Sequence, residues 1–161
     1  MFFDHPVAAF ENIKSALVPG GRIDFVCWQA AKANDWVRVP AQAAAAHIPM
    51  PSPNPPDAPG EFGFANKDFM HRKLADAGFV DIDIADHSVP MRMAGGDTIE
   101  DVVGFVSTMG PMARAIGEAK PDPAVVERIK DELRQALADH GTDDGVVLGC
   151  ATWIATARKS G

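Results

Sequence analysis

Long apolar runs, basic clusters and closely spaced cysteines are all missing from this chain, and each absence removes a class of protein. No apolar run approaches the roughly 20 residues that a membrane-spanning helix needs. The N-terminus has no basic region followed by an apolar one, so no secretory signal is expected. No run of Lys or Arg interrupts a net charge of −7. That balance excludes a nucleic-acid or anionic-membrane surface, because both reward clustered cations. The only two cysteines, Cys27 and Cys150, stand far apart in apolar contexts. A small secreted domain would carry more, so a reducing cytoplasm is expected. The five histidines (His5, His47, His71, His87 and His140) form no i,i+4 pair and have no nearby Cys, so no metal site is expected. Ser15, Ser88 and Ser107 lack a GxSxG elbow, which leaves hydrolase chemistry without support.

What is present is organised around Leu17–Trp28, LVPGGRIDFVCW. Pro19 cannot continue a helix, and Gly20 and Gly21 can take the positive φ of a sharp reversal. Ile23, Phe25 and Val26 then form a short apolar run, as expected of a strand covered on both faces. Upstream, Asp4 or His5 can cap a helix that Pro6 begins, and Val7, Phe10, Ile13 and Leu17 make its apolar stripe. Helix, turn and strand form one αβ unit, and 161 residues suit a single domain.

Downstream, residues 35–47 are expected to be helical, with a kink or a break at Pro40. Residues 48–65 are too rich in proline for helix or central strand and read as a surface lid or binding loop. Asn66 caps a helix to about Ala77 that Gly78 terminates. VDIDIADHSV alternates as a strand with one covered face. Gly95 and Gly96 precede a helix from Thr98 to Met109, with Asp97 and Glu100 spaced like a capping box. Gly110-Pro111 breaks that helix and starts a short one. Asp122-Pro123 opens the clearest helix, with Val126, Ile129, Leu133 and Leu137 on one stripe. DDGVVLGCATWIATARK closes the chain as a long strand.

Three stretches carry a resemblance: MFFDHPVAAFENIKSALVPGGRIDFVCWQ, FANKDFMHRKLADAGFVDIDI and GVVLGCATWIATARK. In this order they resemble the C-terminal part of class I S-adenosylmethionine-dependent methyltransferases. The first is similar to the end of the family's strand four, the following helix and strand five. The others are similar to its helix and strand six, and to its antiparallel strand seven. The implied fold is α/β, a partial Rossmann-like methyltransferase sheet: small, mixed, with three main strands and the last strand antiparallel between the other two, under helices. The implied organisation is one domain over residues 1–161 with the proline-rich lid at 48–65.

The implied activity is methyl transfer from S-adenosylmethionine to a small-molecule acceptor. Its cofactor grip would lie on the family's first strands, as a glycine-rich turn and an acidic residue for the ribose hydroxyls. This chain has no GxG turn between an N-terminal strand and a helix, so it is not expected to bind the cofactor alone. Met1 falls where the family often has an internal methionine, which implies a chain lacking its first half. By resemblance Phe3, Asp4 and Trp28 would face the methyl donor or acceptor, with Trp36 and the proline loop covering them. Equally open is a plainer role: Phe3 and Trp28 as core aromatics and Asp4 as a helix cap. No residue is singled out as catalytic. A non-catalytic binding or dimerisation module derived from such an enzyme is the alternative. Either way the first strand would keep a bare edge, and a homodimer through that edge or the first helix is expected.

Overall fold

A computed structural model describes residues 1–55, 57–93 and 98–161. Gly95, Gly96 and Asp97 lie outside the described residues. The chain divides into two interleaved compact units. One comprises Met1–Ala31, Asn54–Ser88 and Ala151–Gly161, and the other comprises Lys32–Pro53 and Val89–Cys150.

In the first unit, α1 (Pro6–Ala16) leads through the PGG turn into β1 (Arg22–Trp28). Gly20 takes φ +73°, and a Cβ on Gly21 would lie 2.8 Å from the Val18 carbonyl oxygen, so this reversal needs both glycines. Asn66 caps α3 (Lys67–Asp76), its side-chain oxygen accepting from the Phe69 N–H at 3.0 Å. The strand β2 (Phe79–Arg92) follows, and β4 (Gly145–Lys159) ends the chain. The strand order is β1-β4-β2. β1 runs antiparallel to β4 with Arg22 opposite Arg158 and Trp28 opposite Thr152. The last strand therefore enters between the other two as expected. The mixed sheet does not form: β4 separates β1 from β2, so their parallel ladder is never made and the sheet is antiparallel.

The core of this unit gathers Phe10, Cys27, Phe64, Met70, Leu74, Phe79 and Ile84 on one side of the sheet. Ile23, Phe25 and Trp153 pack against it. β1 is not covered on both faces, contrary to the expectation from its apolar run. Arg22, Asp24 and Val26 point the other way, and Val26 is 59% exposed. Its cross-strand neighbour Ile154 is 36% exposed. β2 alternates imperfectly because Asp81 takes φ +50°, which shifts the covered face from Phe79 to Ile82 and Ile84.

The second unit is helical: α2 (Asp35–Ala45), α4 (Ile99–Thr108), α5 (Gly110–Ala119) and α6 (Pro123–Ala138). The short β3 (Gly141–Thr142) pairs with the start of β4. Val39, Ala43, Val102, Val106, Met112, Ile129, Leu133 and Leu137 share its core. Pro40 does not break α2. It costs the bond to the Trp36 carbonyl, close to the helix start, while burial of Val39, Pro40, Ala43 and Ala44 on one side holds the helix together. The capping box of α4 is Thr98 with Asp101, one residue later than expected. The Asp101 N–H donates to Thr98 Oγ1, and the Thr98 N–H donates to the Asp101 carboxylate. Glu100 instead accepts both forks of Arg134 from α6, at 2.7 and 3.1 Å.

Candidate functional site

In open α/β folds, ligands gather beyond the carboxyl ends of the strands. In the first unit that region comprises the end of β1 and the segment entering α1. Phe3 is half exposed, its ring centred 6.1 Å from Phe10 edge to face. Asp4 is exposed and lines a shallow groove of about 460 Å³ with His5, Pro6, Val7, Ala8, Glu11 and Lys73. Neither Phe3 nor Trp28 lines that groove. Trp28 is half buried at the end of β1, opposite Thr152. Asp4 is not the helix cap; His5 holds that position, with no side-chain cap bond. Trp36 belongs to the second unit, where it packs on the helical core and its indole N–H donates to the buried Asn34 Oδ1 at 3.1 Å.

The proline-rich segment is not a free lid along its whole length. Phe64 is 3% exposed and stacks on Phe10 at 5.6 Å, and the Ala65 carbonyl accepts from the Trp153 indole. The Gly60 N–H donates to the Met1 carbonyl at 3.1 Å, and a Cβ on Gly63 would lie 2.6 Å from that same oxygen. Residues 60–65 are thus built into the core beside the first residues of the chain.

A polar cluster at the end of β1 escaped the sequence reading. Gln29 Nε2 donates to the Asp86 carboxylate at 2.6 Å and to the Thr152 carbonyl at 3.0 Å. Thr152 Oγ1 donates to the His87 carbonyl at 2.7 Å. Hydrogen bonds from Gln29 and Ser88 hold the Asp86 carboxyl below its ordinary range, so it stays ionised at neutral pH. Its members lie 57 and 123 residues from Gln29, and strand register alone could have brought them together.

Cys27 is buried on the packed side of β1, its sulfur 3.5 Å from Met70 Sδ. The register sets Trp153 opposite it, and both cysteines are free thiols. Burial pushes its thiol up to about 11 from an ordinary 9.0. The folded state therefore keeps the proton while the unfolded chain releases it, so stability is intact below pH 9.0 and falls as pH rises towards 11. The expected loss is on the order of 2 kcal/mol across that window. Urea titrations at both ends of the window check it: Cys27→Ala should flatten the slope, and an unchanged slope would assign the loss elsewhere.

No cluster of three or more His, Cys, Asp or Glu side chains suited to a metal ion occurs among the described residues. Nor is any helix among them long and apolar enough to cross a membrane. No family model matches the chain, and no curated protein matches it.

Proposed function

We propose that this chain forms the acceptor side of a class I S-adenosylmethionine-dependent methyltransferase fold, acting on a small molecule. The observation that carries this reading is the strand order β1-β4-β2, with the last strand inserted antiparallel between an αβ unit and the strand after the LADAGF helix. That insertion supports the reading, because a simple meander would place β2 beside β1. Methyl transfer is catalysed chiefly by holding donor and acceptor in line and dry, so an acceptor side needs shape and a few fixed polar groups more than a strong base. Phe3, Asp4 and Trp28, with the Gln29–Asp86–Thr152 cluster, are the groups of the first unit that would orient an acceptor. Trp36 carries no part of this proposal.

The cofactor grip needs a glycine-rich strand-to-helix turn, where backbone N–H groups meet the ligand, and a carboxylate for the ribose. The glycine turn at Gly20 and Gly21 leads from helix to strand and is the wrong kind. This favours a second reading, a non-catalytic small-molecule-binding module of the same ancestry. Both readings predict that calorimetric titration of this polypeptide with S-adenosylmethionine gives no saturable heat up to about 1 mM, near the weak end of specific affinity. One-to-one micromolar binding would place a cofactor site within these residues and overturn the division of labour.

A further inference from the structure

We infer that two copies of this chain pair through the free edge of β1, antiparallel across a twofold axis at Ile23. The two outer strands of the first unit's sheet are guarded very differently. β2 carries the irregular Asp81 and the exposed carboxylates Asp83 and Asp86, devices that discourage further pairing. β1 has no proline, no positive φ and no lysine, and beside it Val26 and Val18 are 59% and 72% exposed. Bonds from the Lys159 N–H to the Gly21 carbonyl and from the Gln29 N–H to the Ala151 carbonyl fix which backbone groups face β4. They are those of the odd-numbered residues, so the N–H and C=O groups of Arg22, Asp24 and Val26 face outward, without a sheet partner among the described residues.

Charge selects the occupant and the register. Arg22 and Asp24 share one face of the strand, two residues apart, and already touch at 2.7 Å. An axis at Ile23 sets Arg22 directly opposite Asp24 of the second copy, twice, with Ile23 against its own equivalent on the other face. An axis one residue later would set Asp24 against Asp24, which is unfavourable. Axes further along leave both charges unmatched. The sequence Arg-Ile-Asp is thus complementary to itself at a single register, and a second copy of this chain is the partner it fits.

This inference does not rest on the methyltransferase reading, and a charge swap followed by sedimentation tests it separately. The intact chain at about 100 micromolar should sediment at twice its 17.1 kDa mass. Arg22→Asp alone sets carboxylates against carboxylates, and Asp24→Arg alone sets guanidinium against guanidinium. Each should weaken the dimer at least about tenfold, whereas the double swap should restore it to within about threefold. Both residues are exposed, so unchanged circular dichroism should accompany every variant. A monomeric wild type would overturn the dimer. A dimer indifferent to the single changes would overturn the interface, and failure of the double swap to rescue would overturn the register.

Discussion

Phe10→Ala is expected to destabilise the chain by about 3–5 kcal/mol, a large share of the total stability of a small protein. Phe10 is 3% exposed and stands where the elements of the first unit converge. Its ring lies 5.7 Å from Phe25 on β1, 5.6 Å from Phe64 in the proline-rich segment and 6.5 Å from Phe79 on β2. Truncation opens a cavity between a helix, two strands and a loop whose backbones are fixed by other contacts, so little collapse can fill it. Edge-to-face and stacked contacts add about 0.5–1.5 kcal/mol per pair beyond the area lost. Phe10→Leu keeps most of the volume and should cost markedly less. Urea unfolding followed by circular dichroism checks both, and a cost below about 1 kcal/mol for the alanine variant would mean that the aromatic cluster is not this unit's core.

Leu133→Ala should cost about 2–5 kcal/mol, through the second unit instead. Leu133 is completely buried in the middle of α6, with Ile129 and Leu137 completing its stripe. The valines of α4 and the alanines of α2 share that core. β-branched and small side chains have little freedom to swing into a void, so the cavity should persist. The contrasting control is Leu133→Met, a nearly volume-conserving change expected to cost below about 1.5 kcal/mol. Urea unfolding followed by circular dichroism checks both, and a cost below about 1 kcal/mol for the alanine variant would mean that Leu133 is not central to this core.

Local pattern carried much of this fold, and the failures have physical causes. The stripe of α6 and the PGG turn before β1 were legible because helix period and glycine freedom act within a few residues. The open side of β1 was not. Ile-Asp-Phe-Val-Cys is apolar enough for a doubly covered strand, yet apolarity states what a position could bury, not whether a second layer lies over it. Val26 records that difference. The α4 cap slipped by one because Asp97/Glu100 and Thr98/Asp101 have the same spacing, and it is Thr98 and Asp101 that form the capping box. Phe64 was hidden by its proline-rich surroundings, since composition describes backbone freedom and not where one aromatic ring goes. Of the proposed acceptor side, Phe3, Asp4 and Trp28 were chosen by their place at the ends of elements, and only Asp4 lines the groove there. Gln29, Asp86 and Thr152 meet only through strand register, which no short motif encodes.

The edge of β1 links these threads: it borders the αβ unit on which the proposed reading rests, and it is the surface that the charge swap addresses. The reading of these residues as an acceptor side without the cofactor grip is tested most directly by amide chemical shifts recorded with and without about 1 mM S-adenosylmethionine. The account predicts no saturable shift at Phe3, Asp4, Trp28 or the turn at Gly20 and Gly21. Saturable shifts at these positions would contradict it.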